Sequence, residues 1–220
     1  MRHRHQYIER NFDRYLADWK QDLRHKPLLV RGAREVGKTE SIRRFGRHNY
    51  RTFIEINFAN SPEYKTIVQD GCSAPAVVSR IACMNPSKKL IPGKTLLYFD
   101  EIQDFPEIGN SLDSFREDGR FDVISSGCLF GIPNGQLSSI PPGAKTNYTL
   151  KPLDFGEFMA AKGYGKNFVE DILAHMVEHR PLPVQKFLLL SALFMDYGFT
   201  GGMPRVVLSD FEHHSRAGNL

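Results

Sequence analysis

Eight residues constrain the fold of this 220-residue chain more than any other stretch: Gly32-Ala33-Arg34-Glu35-Val36-Gly37-Lys38-Thr39. They satisfy G-x-x-x-x-G-K-[ST] at every fixed position. A short apolar run, Pro27-Leu28-Leu29-Val30, precedes them, and a helix-compatible stretch, Lys38 to Arg47, follows. Strand, glycine turn and helix in that order form a cradle for an anion. Gly32 and Gly37 permit backbone conformations and close approaches that a Cβ would block. The loop amides can then converge on phosphate oxygens, and the positive end of the following helix favours the negative charge. Residues Gly32 to Glu40 are therefore the expected phosphate-binding segment, with Lys38 reaching the β- and γ-phosphates and the Thr39 hydroxyl on Mg²⁺.

The rest of the chain alternates in the way such a loop requires. Thr52–Phe58, Thr95–Asp100, Phe121–Ser126 and Asn147–Leu150 read as further strands. Helices are expected over 62–70, 74–84 and 108–117. This alternation predicts βαβ units and a parallel sheet covered on both faces. The strand Thr95-Leu96-Leu97-Tyr98-Phe99-Asp100 is apolar on both faces, as an interior parallel strand should be. A Gly/Pro-rich loop spans 131–145. From residue 153 onward only helices are expected, over 154–161, 167–179 and 183–197, ending in a Gly-Gly turn at 201–202. At the start, Ile8, Phe12, Tyr15, Leu16, Trp19 and Leu23 fall at helical spacing, which predicts an amphipathic helix from about His5 to Arg24. The expected divisions are an N-terminal helix over 1–24, a core over 25–153 and a helical, lid-like segment over 154–220.

A second set of polar residues falls at strand ends. Asp100 closes an apolar strand, as the acidic residue of a Walker B pattern does, and is expected to hold Mg²⁺ through its water shell. Glu101 is the natural general base for a hydrolytic water. Ser126 closes the next strand and is placed to hydrogen-bond either the γ-phosphate or the attacking water, while Gln103 either orients water or is an ordinary loop glutamine. Ligands of open α/β sheets sit at the carboxyl ends of the strands, where Gly32, Asp100 and Ser126 all fall.

Charge and composition narrow the partners. Residues 1–50 carry 13 Lys/Arg against 6 Asp/Glu, within a chain whose net charge is only +4. An electropositive N-terminal third suits a nucleotide or a nucleic acid. No apolar run is long enough to span a bilayer, and no secretory leader is visible. Three widely spaced cysteines form neither a disulfide framework nor a zinc pattern, so a cytoplasmic setting is expected. His175 and His179 share a helix face without a third ligand and read as solvated. No [NT]KxD guanine-reading element closes a strand, which favours adenine.

Taken together, several segments resemble one family. They are Lys26 to Arg34 with Val36-Gly37-Lys38-Thr39, Asn57-Phe58, Leu97 to Gln103, Val123 to Gly127, Pro152-Leu153-Asp154-Phe155 with Glu157-Phe158, and Gly201-Gly202-Met203-Pro204. The chain is similar over about residues 7–207 to prokaryotic AAA-type ATPases whose core precedes the domain of unknown function DUF4143. The resemblance implies a P-loop NTPase fold of the additional-strand type, a three-layer parallel sheet with a small C-terminal helical or winged-helix-like segment. The strand ending in Ser126 then separates the P-loop strand from the Asp100 strand, making Ser126 the sensor. Gly202, Pro204 and Arg205 would belong to a lid element. ATP and Mg²⁺ are the implied cofactors, slow ATP hydrolysis as a switch or motor the implied activity. A DNA or protein partner, assembly as a homo-oligomer and a missing C-terminal domain are the implied associations, with no membrane.

Four features depart from the family pattern. Glu35 stands where Gln is usual, Gly127-Cys128-Leu129-Phe130 replaces Gly-Ser-Leu-Leu, Arg205 replaces an acidic or small residue, and the chain stops at Leu220. No arginine occurs from 121 to 179, leaving Arg116 and Arg120 as the nearby finger candidates; such a residue is worth ~10³–10⁵ in rate. These departures support an alternative reading: a nucleotide- or DNA-binding module with little or no catalysis. A small-molecule kinase is a weaker third reading.

Overall fold

A computed structural model describes residues 7–128 and 143–217, with side chains described as far as Phe211. The expected loop over 131–145 falls largely outside these residues, as do Leu129 and Phe130. The described residues form two units, one within residues 12–150 and one combining residues 7–11 with 151 onward.

The larger unit is built on five strands, β1 (Leu28–Gly32), β2 (Thr52–Asn57), β3 (Thr95–Asp100), β4 (Asp122–Cys128) and β5 (Thr146–Leu150). Their order is β2-β3-β4-β1-β5, and every pairing is parallel. β4 thus lies between β1 and β3, as the resemblance implied. All six residues of β3 are buried, matching its unbroken apolar run. Alternate side chains feed two cores. Leu28, Val30, Leu96, Tyr98 and Ile124 pack on one face under α1 (Asn11–Gln21) and α2 (Lys38–Asn49). Leu29, Leu97, Phe99 and Val123 pack on the other under α3 (Ala74–Met84) and α4 (Leu112–Asp118).

Several boundaries differ from expectation. The first helix, expected from about His5 to Arg24, covers 11–21: residues 7–10 and 22–24 are not helical, and His5 and Gln6 lie outside the described residues. Asp22 ends the helix: its carboxylate accepts the Arg24 amide at 2.9 Å, and its carbonyl accepts the His25 amide at 3.0 Å. Leu23, assigned by spacing to the apolar face, is 99% exposed beyond this turn. The segment 62–68 is a 3-10 helix opened by Pro62, and the helix expected from 108 is a 3-10 turn over 106–111 that passes into α4. Local proline-led turns satisfy these short stretches without a full α-helix.

The smaller unit is helical, with α5 (Phe155–Ala161), α6 (Lys166–Val177), α7 (Val184–Thr200) and α8 (Pro204–Ala217), and no strand among its described residues. The sequence reading stopped at the Gly-Gly turn and missed α8. Asp154 and Glu157 form a reciprocal capping box at the start of α5. Glu157 also accepts the Asn11 amide at 2.7 Å and pairs with buried Arg10 at 3.2 Å, which ties the chain's first residues to this unit. Ile8, Leu153, Phe158 and Val207 form its core.

Candidate functional site

Three strand ends and one helix start converge in the larger unit. β1 ends at Gly32, β3 at Asp100 and β4 just past Ser126, while α2 begins at Lys38. The glycines of the intervening loop have distinct physical roles. A Cβ on Gly32 would sit 2.5 Å from the Leu150 carbonyl oxygen and 3.0 Å from Val36 Cγ1. Gly37 holds φ at 99°, in the left-handed region. Val36 is buried in the core and anchors the loop from below, with Ala33 packed against the same cluster. Arg34, Glu35 and Glu40 are exposed. Glu35, the departure that would set a carboxylate beside phosphate, has a left-handed backbone (φ 62°) and an exposed side chain.

Lys38 is buried and curls back over the loop. Its Nζ donates to the carbonyls of Gly32 at 2.9 Å and Ala33 at 2.8 Å. Burial holds its ammonium below the usual lysine range, with Glu101, Cys128 and Asp100 pulling the other way.

Asp100, 2% exposed, is the centre of the polar network. Its Oδ2 accepts from Thr39 Oγ1 at 3.2 Å and Asn57 Nδ2 at 3.1 Å. Its Oδ1 accepts from the Glu101 amide at 3.0 Å and from the Ser126 hydroxyl. The Ser126 hydroxyl in turn shares a 2.7 Å hydrogen bond with the Tyr98 hydroxyl, whose phenol burial drives well above the usual tyrosine range, helped by Asp100. Two hard oxygen donors, Thr39 Oγ1 and Asp100 Oδ2, thus lie side by side, the donor set that Mg²⁺ takes.

Glu101 follows with φ 55° and ψ 48°, a left-handed conformation unusual for a residue with a Cβ. Its carboxylate accepts from the Gln103 side-chain amide, whose own oxygen accepts the Cys128 backbone amide at 3.2 Å. Gln103 therefore links Glu101 to the end of β4. Sequence reading named Lys38, Thr39, Asp100, Glu101, Ser126 and Gln103 but missed Asn57 and Tyr98. The signal for Asn57 was its place at the end of a strand; the register pairs it directly with Asp100.

Gly202 lies in the smaller unit, where a Cβ would come within 2.4 Å of the Leu153 carbonyl oxygen, and its own carbonyl accepts the Leu153 amide at 2.7 Å. Pro204 opens α8 and Arg205 is exposed on its first turn.

Residues 24–159 match the AAA domain family. The chain belongs to the AAA domain family. Among solved structures, this AAA domain is similar to a Walker-type ATPase of Pyrococcus abyssi, with 15% identity, TM-score 0.51, and coverage of 93% of this chain and 67% of that one. It is also similar to a RuvB variant of Thermotoga maritima, with 15% identity, TM-score 0.52, and coverage of 90% of this chain and 59% of that one. These likenesses establish the P-loop NTPase fold. No curated protein matches the chain in sequence. Among the described residues no helix is long and apolar enough to cross a membrane, and no group of three or more His, Cys, Asp or Glu is placed to hold a metal.

Proposed function

We propose that this AAA domain binds ATP with Mg²⁺ and hydrolyses it slowly, working as a switch or motor. The reading rests above all on Thr39 and Asp100, 61 residues apart in sequence, meeting at 3.2 Å beside a lysine folded over a glycine loop. In this reading the loop amides and Lys38 bind the β- and γ-phosphates, and Thr39 and Asp100 hold the metal. Mg²⁺ so held supplies neutralisation of charge on the transferred phosphoryl oxygens. Glu101 takes the proton of the attacking water, Gln103 fixes the direction of its carboxylate, and Ser126 reports on the γ-phosphate. Gly202, Pro204 and Arg205 as a lid, and a DUF4143-type domain following the core, belong to the same proposal.

Purified chain with ATP and Mg²⁺ is tested for phosphate release beside Glu101→Gln and Lys38→Ala, with a nucleotide titration on each. The expected pattern is release by the parent alone, binding by parent and Glu101→Gln, and neither by Lys38→Ala. Normal turnover by Glu101→Gln would remove Glu101 from the role of base.

One observation favours the reading with little catalysis: the Glu101 carboxylate is already engaged by Gln103. Binding without release in every variant would support it. The DNA part of that reading has less behind it, because the N-terminal charge excess is partly engaged inside the fold. Arg43 pairs with Glu55 at 2.6 Å, and Lys20 donates to the Asn49 carbonyl beneath the Tyr50 ring.

A further inference from the structure

We infer that α7 is the contact through which two copies of this chain pair, antiparallel, about a two-fold axis at Ser191 and Ala192. An apolar helix face calls for burial. α7 has two such faces, with Gln185, Lys186, Ser191, Asp196 and Thr200 as its polar residues. Leu193 and Tyr197 face its own unit, where Leu193 is buried and the Tyr197 hydroxyl donates to the Leu153 carbonyl at 2.7 Å. Turned away from these, Val184, Phe187, Leu188, Met195 and Phe199 stand 57% to 86% exposed, and Phe194, 59% exposed at the edge of the same stripe, also meets the Phe155 ring of its own unit at 5.4 Å. At 100° per residue these six fall within one stripe.

The stripe carries no charge. The two charged residues of α7 lie off it, and both are matched within their own unit: Lys186 with Asp171 at 2.5 Å and Asp196 with Lys162 at 2.8 Å. An anionic or cationic partner finds nothing to pair with on this face. A second copy finds a great deal. Val184, Leu188, Ser191, Ala192, Met195 and Phe199 are separated by 4, 3, 1, 3 and 4 positions, a spacing that reads the same in both directions. Antiparallel pairing therefore sets Val184 against the second copy's Phe199 and Leu188 against its Met195. The two small residues meet at the crossing, where they allow close approach. This is the self-complementarity that an isologous contact needs. At about 200 Å² for each fully exposed large side chain, the six residues offer roughly 800 Å², the share of one partner in a standard interface.

The test uses the full chain. Light scattering at up to about 100 µM is expected to give twice the chain mass, and Leu188→Glu or Met195→Glu, both at exposed positions, is expected to give the single mass with unchanged helical circular dichroism. Cysteine cross-linking then fixes the direction, in a background with Cys72, Cys83 and Cys128 replaced by Ser. Ala192→Cys lies about 1.5 Å along the axis from its own copy and should form a disulfide dimer. Leu188→Cys alone lies about 10 Å from its own copy and should not, while Leu188→Cys with Met195→Cys should. A monomeric parent, a dimer that survives both Glu substitutions, or cross-linking by Leu188→Cys alone would each overturn the pairing.

Discussion

Gly32→Ala is a demanding test of how the phosphate loop is held. The added methyl would stand 2.5 Å from the Leu150 carbonyl oxygen, where ordinary carbon–oxygen contacts begin at about 3.3 Å. About 0.8 Å of overlap must be relieved, and Val36 Cγ1 at 3.0 Å blocks retreat toward the loop. Leu150 is the register partner of Gly32 on β5, the edge strand, so the available movement is β5 peeling outward. Loss of about two ladder hydrogen bonds at roughly 1 kcal/mol each, plus overpacking of about 1 kcal/mol, gives a cost of about 3 kcal/mol. For a chain of this size that lowers the melting temperature by about 6–12 °C. Any part of the overlap taken up by Gly32 itself shifts the carbonyl that accepts from Lys38 Nζ at 2.9 Å, and should weaken nucleotide binding. Thermal melting by circular dichroism and titration with a fluorescent nucleotide read both effects. A variant that melts within about 1 °C of the parent and binds equally well would show that the loop is not clamped against β5.

Two further outcomes concern a half-buried pair and a buried one. His25 hydrogen-bonds Asp122 at 2.9 Å, and that bond, against the opposing effect of burial, raises the imidazole above its ordinary 6.5. Its contribution is fully present below pH ~6.5 and is lost as pH rises through the elevated folded value, so His25→Gln should cost more stability at pH 6 than at pH 9 in urea melts; an equal cost at both would dissociate the bond from the pH response. Burial would raise the Asp122 carboxyl, but the bonds from His25 and Tyr50 outweigh it and lower it, consistent with the same pairing. Arg10→Ala strips buried Glu157 of its cation and removes the 2.8 Å bond to the Lys151 carbonyl, and should cost about 3–5 kcal/mol in calorimetry of the smaller unit.

The legible part of this chain was whatever depends on neighbours in sequence. The glycine loop and the apolar run of β3 are local patterns, and each forms where its residues stand. The sheet order followed from family resemblance and not from the strands themselves. What sequence could not show is cross-strand company. Tyr98 looked like one more aromatic in a buried run, and Asn57 like a strand terminus. Only the adjacency of β2, β3 and β4 turns them into partners of Asp100 and Ser126. Leu23 was misjudged for the converse reason: its spacing was helical, but a single Asp22 turn took it off the helix.

The Asn11–Glu157 bond joins residues 146 positions apart, and it implies an order of events during synthesis. At about 5–20 residues per second, the ribosome delivers residue 157 roughly 7–30 s after residue 11. By then every strand of the sheet has been synthesised, β5 last. Through that interval Ile8 and Arg10 have no Leu153, Phe158 or Glu157 to meet. Ile8 and Arg10 thus find their places only after the strands have been made, and the smaller unit cannot be produced whole by expressing residues 151 onward alone.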